Sequence, residues 1–209
     1  MKKKENDKMK YVAIGKNCRI DASVLAGHLP GRKIEIVKTL IGADAFIRAN
    51  TVIYTNTKIG NNFETGHGVV IREENIIGDD FSIWNNSTVD YGCRIGDRVR
   101  IHCNVYVSQY TTIEDDVFLG PGVITTNDPC PNCTRCMKGP TIKRGAKIGA
   151  QATILPHITI GENALIGAGS VVTKDIPAGS LAYGNPARIA GSVYDMKCKK
   201  GVIDKPYKK

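Results

Sequence analysis

Two histidines lie in polar stretches where an imidazole could take part in proton transfer. His67 belongs to the unit TGHG, and His102 directly follows an aliphatic residue. An imidazole titrates near neutral pH, so it can accept a proton from an attacking amine or hydroxyl. His67 is the better candidate for a general base and His102 is the alternative. Either histidine could also be an incidental surface residue.

Three of the seven cysteines, Cys130, Cys133 and Cys136, form a C-x2-C-x2-C run. This spacing lets thiolates converge on one tetrahedral metal such as zinc. A fourth ligand is not evident, although Cys198 or another subunit could supply one. Reduced thiols are therefore the preferred interpretation, and no metal site is predicted.

The elements that must position these side chains follow from a repeat of six residues. Aliphatic residues recur every six positions from Ile41 to Thr125 and again from Ile142 to Val172, and Gly, Asp or Glu often follows them. This period fits neither a helix nor a long strand, and it indicates a short strand plus a turn. The excess of 25 Ile and 16 Val over 7 Leu favours an all-β fold. Three units make a coil of about 18 residues, and stacked coils pair their strands in parallel.

Residues 18 positions apart should therefore stack in columns along the coils. The polar columns are His67, Asn85 and Cys103; Gly68, Asn86 and Asn104; and Glu73, Tyr91, Gln109 and Asn127. The segment between the two runs is rich in Pro, Asn and Cys and predicts a loop that projects over residues 126–141.

The formal net charge of +9 lies mainly at the two termini. Residues 1–10 carry five Lys against two acids, and residues 195–209 carry six Lys against two acids, which leaves the body nearly neutral. We therefore expect a disordered basic tail at 1–10, a repeat domain at 11–191, a basic extension at 192–209, and no nucleic-acid partner. No apolar run is long enough to span a membrane and no signal peptide is evident, so a cytoplasmic location is expected.

Stretches such as TGHGVVIRE, TTIEDDVFLGPGVITTND and YGNPARIAG resemble the hexapeptide-repeat acyltransferases, and in particular the branch that N-acetylates nucleotide-linked amino sugars. The resemblance covers residues 11–191 and implies a left-handed parallel β-helix, a handedness that departs from the usual right-handed crossover. It also implies acetyl-CoA as the donor, a nucleotide-sugar of polysaccharide or glycan biosynthesis as the acceptor, and a homotrimer. The active sites of such a trimer would lie between subunits, near the projecting loop.

The resemblance places Asn104 and Gln109 at the positions that hold the sugar's amino group. Gln109 departs from the acid expected there, so a carboxylate base is in doubt, and the amine could arrive unprotonated or lose its proton through water. An asparagine ladder on Asn86 is the structural alternative for Asn104. The other side chains expected to bind the substrate are Glu73, Asn86, Tyr91 and Asn127.

A coenzyme A groove is expected along the second run of repeats. Small residues there would let the pantetheine arm lie against the backbone: Gly149, Ala150, Gly167 and Ala168. Lys174 and Arg188 could bind the phosphates, and Pro186 could cover the adenine. The backbone near Gly122, or the projecting loop, would stabilise the oxyanion.

Three alternative functions remain open from the sequence. A sugar O-acetyltransferase of the same fold would depend more strongly on His67, because a hydroxyl must lose its proton during attack. A hydratase of the carbonic anhydrase kind needs three converging histidines, whereas the position five residues after His102 is Val107 and His157 lies three coils away. A non-catalytic scaffold subunit would not be stabilised by acetyl-CoA.

Overall fold

The computed structural model describes residues 10–198 and 200–207. Within them the chain winds through coils of three short strands, and each strand of a coil lies on a different face of a triangular prism. The prediction of a disordered tail at residues 1–10 concerns residues that, except for Lys10, lie outside the described part.

Each face is a sheet of short strands that come from successive coils. The first face contains Val12–Ile14, Thr39–Ile41, Lys58–Ile59, Ile76–Ile77, Arg94–Ile95, Thr112–Ile113, Thr141–Ile142 and Thr159–Ile160. The second face contains Arg19–Ile20, Phe46–Ile47, Glu64–Thr65, Ser82–Ile83, Arg100–Ile101, Phe118–Leu119, Lys147–Ile148, Leu165–Ile166, Ser180–Gly184 and Ala187–Ser192. The third face contains Leu25–His28, Val52–Tyr54, Val70–Ile71, Thr88–Val89, Tyr106–Val107, Ile124–Thr125, Thr153–Ile154 and Val171–Val172.

The register between coils confirms the 18-residue period. Ile83 pairs with Ile101 in parallel on the second face, and both side chains are fully buried. The inward residue just before each strand completes the core, as in the stacked rings of Phe63 and Phe81, whose centroids are 5.8 Å apart. The parallel β-helix predicted from the repeat is therefore confirmed.

The turns explain why Asn, Asp and Gly recur between the aliphatic positions. Asn86 and Asn104 adopt φ angles of 57° and 58°, and Gly68 and Gly122 in the same column adopt 67° and 69°. This left-handed conformation is strained for most L-residues, and Gly and Asn tolerate it best. Gly, Asn and Asp fill most of these turn positions, although the same conformation is also adopted by Glu74, Arg98, Tyr110, Gln151 and His157.

The projecting loop leaves the prism where the sequence predicts it. Strands Ile124–Thr125 and Thr153–Ile154 are paired, with Ile124 opposite Thr153, so 11 residues are added to the regular coil. The loop spans residues 126–140 and contains a short 3-10 helix at Thr134–Cys136.

A second and shorter excursion, at residues 29–38, precedes the main repeat and was not recognised in the sequence. Ala26 pairs with Ile53, which adds nine residues to that coil. The hexad pattern cannot show this excursion because only Ile14 and Ile20 precede it at lead positions.

The C-terminal end of the prism is closed by the antiparallel hairpin of Ser180–Gly184 and Ala187–Ser192. Ala187 and Val193 are buried there, and a 3-10 helix follows at Val193–Asp195. In the described part of the chain, no helix has the length and apolarity to cross a membrane.

Candidate functional site

Two corners border the third face, and the polar columns lie on them. The histidine corner connects the second face to the third and comprises residues 66–68, 84–86, 102–104, 120–122, 149–151 and 167–169. The acidic corner connects the third face to the first and comprises residues 72–74, 90–92 and 108–110, with the projecting loop leaving from residue 126.

His67 is an exposed residue of the histidine corner. Its backbone N–H donates to Asn85 Oδ1 at 2.7 Å, and its imidazole has no hydrogen-bond partner among residues 10–198 and 200–207. The ring is free to act as a base. It lies two coils before Asn104, a rise of about 10 Å along the prism.

His102 lies on the same coil as Asn104 and is also exposed. Its Nδ1 accepts a hydrogen bond from the backbone N–H of Cys103 at 2.9 Å, so the proton of the neutral ring is on Nε2. His102 is thus nearer to Asn104, whereas His67 has the freer imidazole.

Asn86 and Asn104 project from left-handed turns of this corner and are both exposed. Asn86 Oδ1 lies beside Gly68, where an added Cβ would stand 2.7 Å away. No hydrogen bond joins the two asparagine side chains in the described residues. The two residues therefore share a backbone conformation but do not form a side-chain ladder. The side chain of Asn104 remains available to a ligand.

The predicted donor groove runs along the same corner. Gly149 and Gly167 are covered by the next coil, because an added Cβ would come 2.5 Å from Ala168 N and 2.7 Å from Tyr183 Cβ, respectively. Their small size therefore serves coil stacking. Ala150 is half-buried and Ala168 exposed, and neither backbone N–H has an acceptor within the described ranges. These two amides are open to an extended ligand.

Lys174 and Arg188 come together near the C-terminal hairpin. They line a shallow cavity of about 280 Å³ together with Asp175, Ile176, Ala187 and Ile189. Both side chains are exposed, as is Pro186 at the hairpin tip. Two cations and an apolar floor suit a phosphate group next to a nucleobase, and the exposed carboxylate of Asp175 offsets part of the positive charge.

At the acidic corner, Glu73 is fully buried beneath two arginines. Arg72 donates to both carboxylate oxygens at 2.9 and 3.0 Å, and Arg32 donates to one at 3.2 Å. Burial by itself would raise the pKa of Glu73, but the hydrogen bonds from Arg72 and Arg32 outweigh it and hold the pKa below its usual value. A substrate could reach Glu73 only if Arg32 moved.

Asp90 is a second buried carboxylate at this corner, with 6% of its surface exposed. It accepts hydrogen bonds from Tyr106 Oη at 2.7 Å, from Gln109 Nε2 at 2.5 Å and from the backbone N–H of Tyr91 at 2.8 Å. Arg72 Nη1 lies 3.3 Å away. A carboxylate of the neighbouring column thus lies against the side chain of Gln109.

Tyr91 and Asn127 complete the acidic corner. The guanidinium of Arg32 lies 3.9 Å from the centre of the Tyr91 ring, and Tyr110 meets that ring edge-on at 5.5 Å. Burial raises the pKa of the Tyr91 hydroxyl. Asn127 Nδ2 is buried and has no hydrogen-bond partner among the described residues, and the backbone carbonyl of Asn127 accepts from Lys138 N–H at the base of the loop.

Sequence reasoning missed Arg32, Arg72 and Asp90. Arg32 belongs to the unrecognised excursion, so only the fold brings it onto Tyr91. Arg72 and Asp90 are 18 residues apart and share a column with Ser108, which was a usable signal. An oppositely charged pair at coil spacing indicates a cross-coil ion pair.

One chain does not bring the two corners together. Asn104 and Gln109 lie at opposite ends of the strand Tyr106–Val107. Five residues of extended chain separate them by about 15 Å. Two side chains so placed cannot both bind one amino nitrogen.

The cysteines of the loop are all free thiols. Cys133 N–H donates to Cys130 carbonyl oxygen in a turn, and His157 Nε2 lies 2.9 Å from the Cys136 carbonyl oxygen. No three His, Cys, Asp or Glu side chains in the described part of the chain are placed to hold a metal ion.

Comparisons with known proteins agree with this architecture. The model described as "Bacterial transferase hexapeptide (six repeats)" matches residues 38–73 and 139–174, and the model "Hexapeptide repeat of succinyl-transferase" matches residues 74–109. The UDP-N-acetylglucosamine acyltransferase from Campylobacter jejuni superposes with a TM-score of 0.74 at 17% identity, over 88% of this chain and 71% of that chain. The left-handed form of the parallel β-helix is thereby confirmed.

Two sequence relatives extend the comparison. The dTDP-3-amino-3,6-dideoxy-alpha-D-galactopyranose 3-N-acetyltransferase of Aneurinibacillus thermoaerophilus is 56% identical over 63 residues, which cover 30% of this chain and 33% of that protein. The bifunctional protein GlmU of Heliobacterium modesticaldum is 32% identical over 177 residues, which cover 69% of this chain and 38% of that protein. The chain thus spans little more than a third of these relatives.

Proposed function

Because the chain belongs to the hexapeptide-repeat transferase family, we propose that it is an acetyl-CoA-dependent N-acetyltransferase that acts on the amino group of a nucleotide-linked sugar. Such a sugar would enter a surface polysaccharide or another glycan, and the enzyme would work in the cytoplasm. The 56% identity over 63 residues to a protein named for N-acetylation of a dTDP-linked amino sugar supports this acceptor class.

The observation that carries the proposal is the spatial order of the polar groups along the histidine corner. Asn104 offers an amide side chain, and the open N–H groups of Ala150 and Ala168 follow two and three coils further on, about 10 and 14 Å along the prism. An extended pantetheine arm carries amide carbonyls that accept such N–H groups. Lys174, which follows the third-face strand Val171–Val172 on the acidic-corner side, and Arg188 of the closing hairpin lie at the end of the prism, where the phosphates would be.

A homotrimer is part of the proposal, because the third face between the two corners has no charge. Its outward side chains are Leu25, Val52, Val70, Thr88, Tyr106, Ile124, Thr153 and Val171. By contrast, the second face carries Glu64, Arg100 and Lys147 outward. An uncharged face suits contact with copies of the same chain. With that face toward a threefold axis, the histidine corner of one subunit meets the acidic corner of its neighbour.

In this arrangement the site needs little chemistry from the protein. The amine nitrogen attacks the thioester carbonyl, the new C–N bond forms, and the C–S bond breaks. The proton lost by nitrogen passes to the departing sulfur, either directly or through water or a histidine. Asn104 and Gln109 orient the amine, and backbone N–H groups near Gly122 are proposed to stabilise the oxyanion.

Sugar O-acetylation is the second candidate, and the free imidazole of His67 favours it. A hydroxyl nucleophile needs a base during attack, whereas an unprotonated amine does not. His67→Ala and His102→Ala variants separate the two. For an N-acetyltransferase we expect each variant to keep most activity on its amino sugar.

The direct test is acetyl transfer from acetyl-CoA to a panel of dTDP-, UDP- and GDP-linked amino sugars and to the matching hydroxyl sugars. Product mass and free-thiol release are measured together. Acetylation of amines alone supports the proposal, acetylation of hydroxyls supports the alternative, and transfer to neither, without stabilisation of the protein by acetyl-CoA, refutes both.

A further inference from the structure

Asp90 is the best-connected acceptor of the acidic corner, although the mechanism above assigns it no role. Its two oxygens take hydrogen bonds from Tyr106, Gln109 and the Tyr91 backbone, with Arg72 beside them. Tyr106 and Arg72 approach from coils on either side of Asp90, and Arg72 is itself held by the buried Glu73. The carboxylate is therefore fixed in place.

A fixed carboxylate determines the orientation of the amide that it touches. The oxygens of an ionised Asp90 can only accept hydrogen bonds, so the group of Gln109 that faces them must be the amide nitrogen Nε2. The opposite oxygen, Oε1, then points away from Asp90. Among the described residues Oε1 has no hydrogen-bond donor, and Gln109 is only half-buried.

We propose that Asp90 is a positioning residue for amine acetylation: it locks the Gln109 amide so that Oε1 faces the acceptor and takes an N–H of its amino group. The inference rests on the proposed N-acetyltransferase function. This role of Asp90 explains why an amide can stand where an acid is expected. A carboxylate at position 109 and a Gln109 amide held by Asp90 would each present a hydrogen-bond acceptor to the amine. A freely rotating glutamine would also present its own N–H groups, which repel those of an amine.

A double-mutant cycle tests whether Asp90 acts through Gln109. We expect Gln109→Leu and Asp90→Asn each to lower kcat/KM for the amino sugar by roughly 10- to 100-fold, the range for a lost hydrogen bond to a charged or oriented group. If the two residues act as one unit, adding Asp90→Asn to Gln109→Leu changes kcat/KM by less than about threefold.

A polarity swap supplies a readout that a merely structural role would not move. In Asp90→Asn/Gln109→Glu, the new asparagine amide donates to the new carboxylate, whose second oxygen still faces the amine. We expect kcat/KM within about tenfold of wild type, well above that of Asp90→Asn alone. The control is Asp116→Asn, the same exchange on a remote corner, where Asp116 pairs with Arg98 at 2.7 Å. It should leave activity unchanged.

The outcomes separate the inference from the function on which it rests. If wild type acetylates no nucleotide-linked amine, the proposed function fails. If wild type is active but Gln109→Leu keeps full activity, or the polarity swap is no better than Asp90→Asn, the role of Asp90 is refuted. If Asp90→Asn does not fold, as judged by thermal melting, the swap is compared with Gln109→Glu instead, and a swap no more active than Gln109→Glu refutes the role of Asp90.

Discussion

A mixture of two impaired variants should regain activity if the site is shared between subunits. Asn104→Gly removes the amide from the histidine corner without strain, because Gly68 and Gly122 hold the same left-handed turn. Gln109→Leu removes the acceptor from the acidic corner. These side chains lie about 15 Å apart in one chain, so a site that uses both on one nitrogen must combine two chains.

The magnitude follows from threefold symmetry. Each cleft of a cyclic trimer takes one corner from each of two neighbours, and in every trimer that holds both variants one cleft of the three has both corners intact. Co-expression of the two variants with different tags, followed by tandem purification and an acetyl-transfer assay, measures this fraction. Each variant alone should show a few per cent of wild-type kcat/KM, in line with a loss of roughly 1.5–3 kcal/mol.

A site built within one chain gives a different result. Every chain in the mixture would then carry one lesion, and the mixed trimers would be no more active than either variant alone. That result, obtained with tandem-purified mixed trimers, would refute the shared site. A co-expressed mixture of wild type with Gln109→Leu checks that mixing itself leaves active clefts intact.

The remaining predictions concern the donor groove and the buried ion pair. Ala150→Pro should fold, since Pro121 occupies the same column, but it deletes the open N–H and should raise KM for acetyl-CoA by roughly tenfold; Ala150→Ser keeps the N–H and is the control. Removing Lys174 and Arg188 together should raise KM for acetyl-CoA and weaken its salt dependence, while KM for a donor that lacks phosphates stays constant. Because the pKa of Glu73 is lowered in the fold, its stabilising effect is present above its ordinary pKa of 4.5 and is lost as the pH falls below that value. Glu73→Gln should therefore cost about 2 kcal/mol at neutral pH and flatten the acid decline of Tm, and an unchanged pH profile would contradict the pairing with arginine.

The repeat predicted the backbone well because the residues within each hexad determine its own strand and turn. The inward Ile83 and Ile101, the turn at Asn104 and the departure of the loop after Thr125 all follow from local spacing. The columns that place His67 near Asn85 follow from the same period. Short-range rules were sufficient for these features.

The electrostatics of the acidic corner depended on contacts that no local pattern contains. Arg32 comes from a coil of irregular length and buries Glu73, a residue that the column alone placed at the surface. Asp90 was overlooked because its side-chain partners lie on the coils before and after it, and only the 18-residue spacing from Arg72 pointed to one of them. Long side chains that reach across coils therefore decide which polar residues a ligand can touch.

The stacked coils also fix the distances between the groups that would bind the ligands. Each coil advances the histidine corner by about 4.8 Å, and the hydrogen-bonded ladder fixes that step, as Gly122 N–H bonded to Cys103 carbonyl oxygen illustrates. Distances between the acceptor end and the phosphate end of the groove can thus change only in whole steps, by the gain or loss of a coil. Insertions at corners, such as residues 29–38 and 126–140, alter what surrounds the ligand and leave these intervals intact.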